Sequence, residues 1–195
     1  DRARLLDAAA VVIRARGPDA TMDEIAAGAS VTKPILYRTI GDKAALMVAL
    51  SESLIDQIDT SVQAASGSQS SPRAAFESAI RGYLAAVEAD RNIFLFVNAS
   101  APGTEQFREL VDRSAASMID AFGGGARSTD AIADAAEHWA WAIVGALQVV
   151  TTMWLRDDDR DIDRVVTNLS QLLWSGLAAS LDESSGSTRD RTPGA

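Results

Sequence analysis

Cysteine is absent from the 195 residues, and histidine occurs only once, at His138. Without cysteine there are no disulfide frameworks, thiol nucleophiles, iron–sulfur clusters or cysteine-ligated zinc sites. A single histidine leaves one base for a serine triad and excludes sites that need several histidines. An enzyme would need a nucleophile or paired carboxylates converging on His138, and no motif supplies either. We therefore expect no enzyme, no metal and no cofactor.

Long hydrophobic runs are also missing. The longest stretch without a charged residue, residues 139–155, is interrupted by three polar side chains. A transmembrane helix needs about 20 mostly apolar residues, so we expect this stretch to form a buried helix and no part of the chain to enter a membrane. The sequence opens with charges at Asp1, Arg2 and Arg4, unlike a secretory signal peptide. It therefore predicts a cytoplasmic protein.

Positive charge is scarce, and the formal net charge is −9. The balance is uneven along the chain, because residues 1–50 carry seven basic and six acidic side chains while the remaining residues carry 11 and 21. Both lysines of the chain lie in the first part. This division indicates two specialised parts, and only the first has a charge balance compatible with an acidic partner such as nucleic acid.

Apolar residues recur at helical spacing throughout, and no alternating β-branched run indicates a sheet. The pattern predicts about nine helices and an all-α fold. Thr21 followed by Glu24 has the spacing of a capping box, and Thr32 and Asp42 are predicted to cap the next two helices. Later helices are predicted over about residues 104–122, 129–155 and 161–181, with a glycine triplet at 123–125 ending the first of them.

Residues 21–40 predict a helix, a tight turn and a second helix, with another helix packed in front of them. The second helix of such a unit enters the major groove, which is about 12 Å wide, with its first residues at the base edges. Thr32 and Lys33 suit base edges, whereas Tyr37, Arg38 and Lys43 suit phosphates. The candidate DNA-binding residues are Thr21, Thr32, Lys33, Pro34, Tyr37, Arg38 and Lys43.

The stretch from Ala9 to Leu46 resembles the DNA-binding domain of the TetR family of bacterial transcriptional repressors. The residues that match the family pattern are Ile13, Gly17, Thr21, Ile25-Ala26, Val31-Thr32, Tyr37, Ile40 and Lys43. The resemblance implies a helix-turn-helix domain followed by a helical domain that binds a ligand and dimerises. Ser30 departs from the pattern, since the family usually has a turn glycine there; a left-handed Ser30 would cost about 1–2 kcal/mol. Ile13 and Ile40 replace residues that are commonly Phe.

On this basis residues 1–45 form the DNA-binding domain, residues 46–183 the ligand-binding and dimerisation domain, and residues 184–195 a flexible tail. The long fourth helix, residues 42–65, links the two domains. The apolar stripes of the last two helices predict a four-helix homodimer interface, and the alternative is that they only cover the chain's own core. The predicted interface residues are Ile143, Leu147, Val150, Trp154, Val166, Leu169, Leu173 and Leu177.

The helices between these two regions are predicted to enclose a ligand chamber. The candidate ligand-binding residues are Tyr83, Phe94, Asn98, Met118, Phe122, His138 and Trp141. For any one of them, simple packing in the core remains the alternative. An aromatic chamber favours a lipophilic inducer, such as an acyl chain or its coenzyme A thioester, whereas inward-facing Asp or Glu would favour a cationic drug.

Together these features predict a ligand-responsive transcriptional repressor. It would bind a palindromic operator in double-stranded DNA as a homodimer and be released by a small lipophilic inducer. The alternative is a helical dimer that serves as an interaction module without DNA binding.

Overall fold

Helices are the only regular secondary structure in the described part of the chain, which confirms the all-α fold. The computed structural model describes residues 2–99, 105, 108–109, 111–114, 130–157 and 161–186. The helices are α1 (Arg2–Arg16), α2 (Met22–Gly28), α3 (Lys33–Thr39), α4 (Lys43–Ser66), α5 (Pro72–Ala89), α6 (Arg91–Val97), α7 (Asp130–Arg156) and α8 (Ile162–Gly186). Residues 105, 108–109 and 111–114 are also helical and fall within the helix predicted over 104–122. Met118, Phe122 and the glycine triplet lie outside the described residues.

The N-termini of α2 and α4 are capped as predicted. The Thr21 hydroxyl accepts from the backbone N–H of Glu24 at 3.3 Å, and the Glu24 carboxylate accepts from the backbone N–H of Thr21 at 2.9 Å. Asp42 accepts from the backbone N–H of Ala45 at 2.9 Å. Thr32 occupies the N-cap position of α3, but its side chain makes no capping bond. Its hydroxyl is therefore not used to hold the start of α3.

The turns around α2 and α3 use left-handed backbone conformations. Gly17 and Gly41 have φ angles of +100° and +107°, which glycine adopts without a steric penalty. Ser30, between α2 and α3, has a φ of +56°, so the departure from glycine places a side chain in the left-handed region. The strain expected from the sequence, about 1–2 kcal/mol, is therefore present in this turn.

One continuous hydrophobic core connects the N-terminal helices to the rest of the chain. Ile13, Ile25 and Leu36 on α1, α2 and α3 are fully buried. The same cluster extends along Leu46 and Leu54 of α4 to side chains of α5, α6, α7 and α8. Since α4 contributes to both ends of this core, the helix is placed to link the two parts of the protein.

Helices α4 and α5 cross closely at Gly82. The Ser61 hydroxyl donates to the carbonyl of Gly82 at 2.9 Å. A Cβ atom at residue 82 would lie 2.8 Å from the backbone oxygen of Ser61, which is closer than such contacts allow. The crossing therefore requires glycine, and it fixes the distance between two helices that line the cavity described below.

The end of the last helix differs from the prediction. Helix α8 continues to Gly186, so residues 184–186 are helical instead of belonging to the predicted tail. A polar helical extension lacks the apolar stripe by which a helix is recognised in a sequence, and its polarity was interpreted as a helix end. Residues 187–195 lie outside the described residues. No helix in the described ranges has the length and apolar character needed to span a bilayer.

Candidate DNA interface and ligand cavity

Helix α3 lies on the surface with one apolar edge facing inward. Leu36 and Ile40 are buried, at 0% and 7% exposure. The outward residues of α3 and its N-cap are exposed: Thr32, Lys33, Pro34, Ile35, Tyr37 and Arg38. Tyr37 is 41% exposed, so its ring is not a core residue. The predicted outward orientation of α3 is confirmed, while contact of these side chains with DNA remains a prediction.

Lys33 is held in place by an acidic residue of the preceding helix. Its ammonium nitrogen lies 2.7 Å from a carboxylate oxygen of Asp23 on α2. The hydrogen bond to Asp23 and its negative charge raise the pKa of Lys33, so the side chain remains charged at neutral pH. Both side chains are more than half exposed, and water therefore competes effectively for this ion pair. The ion pair with Asp23 therefore orients the Lys33 side chain at the start of α3 but leaves it able to exchange this partner for another.

Thr21 caps the N-terminus of α2. Its hydroxyl accepts from the N–H of Glu24 and donates to the Glu24 carboxylate at 2.9 Å. The backbone N–H of Thr21 and, to a lesser extent, its hydroxyl donate to the Glu24 carboxylate and lower its pKa, so the carboxylate is charged and these bonds persist at neutral pH. A contact of Thr21 with DNA remains a prediction, but the hydroxyl already has two partners.

Lys43 is the first residue of α4 and is exposed. Its ammonium group lies 5.0 Å from the centre of the Phe96 ring on α6, within the range of a cation–π interaction. Phe96 itself is fully buried. The residue predicted to bind phosphate therefore rests on a side chain of α6, a contact that the sequence does not indicate because 53 positions separate the two residues.

A second contact joins α6 to α1. The Arg14 guanidinium donates two hydrogen bonds to the carboxylate of Asp90, at 2.8 Å and 2.6 Å. Asn92 donates to the backbone carbonyl of Arg14 at 2.8 Å. Asp90 is only 7% exposed, and its carboxylate raises the pKa of Arg14. These bonds, here called the α1–α6 clamp (Arg14, Asp90 and Asn92), connect α1 to the start of α6, where Asp90 occupies the N-cap position without a side-chain capping bond.

A cavity of about 120 Å³ lies between α4, α5, α6 and α7. Its walls are mostly apolar, formed by residues such as Leu54, Ile58, Phe76, Ile80 and Leu147. The polar residues among the described lining are Asp59, Tyr83, Asn98, Ser114 and Gln148. An apolar cavity with a few polar groups is the usual form of a small-molecule site.

Three of the predicted ligand-binding residues, Tyr83, Phe94 and Asn98, line this cavity. His138 and Trp141 are not among the residues that line it, and their contact with a ligand stays a prediction. Both are exposed on α7, where their rings meet edge to face with centres 5.6 Å apart. The cavity is lined instead by residues 143, 144, 147 and 148 of α7. His138 lies on the opposite side of the helix and Trp141 at the edge of the buried face.

Polar atoms inside the cavity are incompletely paired. Asn98 donates through its amide nitrogen to the carbonyl of Phe94 at 2.9 Å, while its amide oxygen is buried and makes no hydrogen bond with the described residues. The side-chain oxygen of Gln148 is likewise buried without a partner there. Burial raises the pKa of the Tyr83 hydroxyl, an effect that the neighbouring Thr151 hydroxyl only partly offsets. Tyr83 is therefore neutral at physiological pH, and its hydroxyl is buried without a hydrogen bond to the described residues.

Four residues of the predicted dimer interface are buried within their own chain, so their contact with a second copy stays a prediction that this burial does not favour. These residues are Ile143 at 8%, Trp154 at 6%, Val166 at 0% and Leu169 at 5% exposure. Leu147, Val150 and Leu173 are partly buried against the same core, and the side chain of Leu177 lies outside the described part. The apolar stripe predicted for dimerisation therefore also faces the chain's own core.

Three large apolar side chains of α7 and α8 are exposed. Val149, Met153 and Leu172 are 62%, 58% and 69% exposed. We call these three residues the α7–α8 outer face. Gly145 and Gly176 lie on the same two helices, and a Cβ at either would meet no neighbouring atom. Exposed apolar side chains of this size on two successive helices favour a surface that a partner covers.

The sequence matches two protein-family profiles. Residues 5–50 match the profile described as bacterial regulatory proteins, tetR family, and residues 61–189 match the tetracyclin repressor-like C-terminal domain. Together these matches include both the helix-turn-helix region and most of the remaining chain.

Individual relatives agree with these matches. An uncharacterized HTH-type transcriptional regulator of Mycobacterium tuberculosis is 29% identical over 187 residues, covering 90% of this chain and 76% of the relative. The HTH-type transcriptional activator FasR of Mycolicibacterium smegmatis is 29% identical over 182 residues, covering 91% of this chain and 83% of FasR. The crystal structure of a TetR-like regulator from Rhodococcus sp. RHA1 has 26% identity and a TM-score of 0.60, covering 90% of this chain and 94% of the other.

Proposed function

Since the chain belongs to the TetR family of transcriptional regulators, which bind DNA through a helix-turn-helix domain, we propose that it is a ligand-responsive repressor. It binds a palindromic operator as a homodimer and is released by a small lipophilic inducer in the cytoplasm. The observation that carries this proposal is the exposed α3, whose inner edge is buried while Thr32, Lys33, Tyr37 and Arg38 face solvent.

Base reading is assigned to the start of α3. Thr32 makes no capping bond, so its hydroxyl and methyl groups are free to approach base edges. Lys33 exchanges its exposed pairing with Asp23 for the O6 and N7 atoms of guanine. Pro34, Tyr37 and Arg38 follow on the same exposed side, and the last two suit phosphates. Lys43 adds a phosphate contact at the first turn of α4.

Dimerisation is assigned to the α7–α8 outer face. Exposed Val149, Met153 and Leu172 lose contact with water when the same face of a second copy covers them. A two-fold axis through this face gives a dimer with two α3 helices. Binding a palindrome requires these helices to enter successive major grooves, about 34–36 Å apart.

Ligand control is assigned to α6, because residues in or next to this helix contact the cavity, the start of α4 and α1. Phe94 and Asn98 line the cavity, Phe96 supports Lys43, and Asp90 at the start of α6 binds Arg14. A ligand that favours another position of α6 would shift α1 and the start of α4 relative to the cavity. Such a shift needs different ligand affinities in the two states, since equal affinities change no population.

The test begins with selecting bound fragments from random duplex DNA. The full chain should retain a palindromic sequence in a gel shift, and its affinity should fall steeply with salt because phosphate contacts release counterions. A reporter gene behind the selected operator then gives the direction of regulation. FasR is named an activator, so increased expression would replace repression in the proposal. No retention of DNA at low salt would instead favour the interaction module without DNA binding.

A further inference from the structure

The polar groups of the cavity indicate the chemistry of its ligand. Building on the proposed ligand control, we infer that the cavity takes a small lipophilic compound whose polar end donates hydrogen bonds, such as an alcohol or an amine, and rejects a carboxylate. Two buried amide oxygens carry this inference: Asn98 directly follows α6, and Gln148 belongs to α7. The Tyr83 hydroxyl in the same lining can accept from or donate to the same ligand group, so an alcohol can satisfy it together with an amide oxygen, whereas an ether can only accept from Tyr83.

Asn98 presents an acceptor in a fixed orientation. Its amide nitrogen donates to the Phe94 carbonyl at 2.9 Å, which determines which end of the amide is the oxygen. The oxygen is buried without a hydrogen bond to the described residues and belongs to the cavity lining. A ligand that meets this atom must supply an N–H or O–H group.

Gln148 supplies a second acceptor from α7. The residue is only 8% exposed, lines the cavity, and has a side-chain oxygen without a partner among the described residues. Leaving a buried acceptor unpaired is unfavourable, so a donor on the ligand gains more here than it would on an exposed amide. Because Gln148 is buried, its side chain is already held in the cavity wall before a ligand binds.

Asp59 of α4 adds negative charge to the same lining. No Lys, Arg or His is among the described residues that line the cavity. A carboxylate entering the cavity would lose its hydration, find no cation among these described residues and lie in the same lining as the Asp59 carboxylate. An ammonium group would instead be attracted. The acyl chain expected from aromatic content alone is therefore disfavoured as a free fatty acid.

The size of the cavity limits the apolar part of the ligand. A cavity of about 120 Å³ is close to an engineered cavity of roughly 150 Å³ that binds benzene. Six-carbon compounds are therefore suitable probes. 1-Hexanol and methyl pentyl ether have the same number of carbon and oxygen atoms, but only the alcohol donates a hydrogen bond. Hexylamine and hexanoate carry opposite charges at neutral pH.

Binding of these four compounds to the full chain is measured by isothermal titration calorimetry. We expect 1-hexanol and hexylamine to bind about tenfold more tightly than methyl pentyl ether and hexanoate, the difference that satisfying one buried acceptor provides. Hexanoate binding as tightly as hexylamine, the ether as tightly as the alcohol, or no binding by any of the four would overturn the inference. Operator retention by the same preparation tests the proposed DNA binding separately.

Two variants assign the preference to the side chains. Gln148→Leu should remove most of the advantage of 1-hexanol over the ether, whereas Gln63→Leu, an exposed position on α4, should leave it unchanged. Asp59→Asn should weaken hexylamine and leave 1-hexanol unaffected, with exposed Asp56→Asn as its control. If neither cavity variant differs from its control, the preference does not arise in this cavity and the inference is wrong.

Discussion

The DNA-binding part and the ligand-binding part differ in how completely a single chain satisfies its own groups. In α1–α3 the core residues are buried, the polar cap of α2 is closed, and exposed apolar residues such as Val11 and Ile35 stand on separate helices. Between α5 and α8, by contrast, the oxygen of Gln148, the indole N–H of Trp154 and the hydroxyl of Ser170 are buried without described partners. The α7–α8 outer face also leaves three large apolar side chains exposed.

This difference indicates that the two parts depend on different partners. The DNA-binding part is complete as a fold and offers its exposed residues to DNA. The other part has an apolar face that a second copy would cover and buried acceptors that a ligand would satisfy. The α1–α6 clamp and the contact between Lys43 and Phe96 join the two parts. A shift of α6 in the ligand-binding part would therefore act directly on Arg14 and Lys43 in the DNA-binding part.

The largest effect is expected at the outer face. Leu172→Glu places a charge where the second copy is expected to pack, so the protein should become monomeric and lose about 100-fold in operator affinity. Analytical ultracentrifugation and gel shifts measure the two effects. Val11→Glu is the matched control, because Val11 is 62% exposed but lies on α1. A dimeric Leu172→Glu protein with normal affinity would contradict the assignment of this face.

The next largest effect is expected at the clamp. Arg14→Ala leaves the nearly buried carboxylate of Asp90 without its partner, so we expect unfolding to become easier by about 2 kcal/mol. Chemical denaturation measures this change, and exposed Arg16→Ala is the control on the same helix. If the two parts are coupled here, Arg14→Ala should also reduce the effect of an inducing ligand on DNA binding. Unchanged stability would mean that the clamp contributes nothing.

A smaller effect of opposite sign is expected from Ser30→Gly. Glycine removes the left-handed strain at φ +56°, but it also makes the unfolded chain more flexible, so the net gain is about 1 kcal/mol. This corresponds to a rise in melting temperature of about 2–4 °C. Calorimetric scans of the two proteins measure it. A lower melting temperature would show that the serine side chain makes a stabilising contact that outweighs the strain.

The smallest effect concerns the capping box of α2. Hydrogen bonds from Thr21 lower the pKa of Glu24, so the stabilisation by its carboxylate is complete above the pKa of the unfolded chain and is lost as the pH falls through the lower folded pKa. Glu24→Gln should therefore lower the melting temperature slightly at pH 7 and have less effect at about pH 3. A larger difference at the lower pH would have the wrong sign for this account.

The sequence predicts the DNA-binding part well because its information is local. Thr21 and Glu24 are three positions apart, and the periodicity of Leu36 and Ile40 defines which side of α3 is outside. The clamp could not be predicted in this way, since Arg14 and Asp90 are 76 positions apart and each is an ordinary charged residue in its helix.

Periodicity was also insufficient for the last two helices. It identifies apolar positions, but only the packed structure shows which of them the chain covers itself. Trp154 was therefore predicted at the interface and lies in the core, while Val149 was not predicted and is exposed. Similarly, His138 was predicted to bind the ligand because its side chain is polar. The side of α7 that faces the cavity is determined by packing against α4 and α5, and His138 lies on another side.

The most direct test compares Lys33→Ala with Lys43→Ala on a library of single-base operator variants, because the central claim is that α3 reads bases while its surroundings bind phosphates. Lys43→Ala should weaken binding to every sequence alike. Lys33→Ala should instead lose about 1–3 kcal/mol of discrimination at one base pair. A uniform loss of affinity in both variants, with all base preferences intact, would contradict the assignment of α3 as the reading helix.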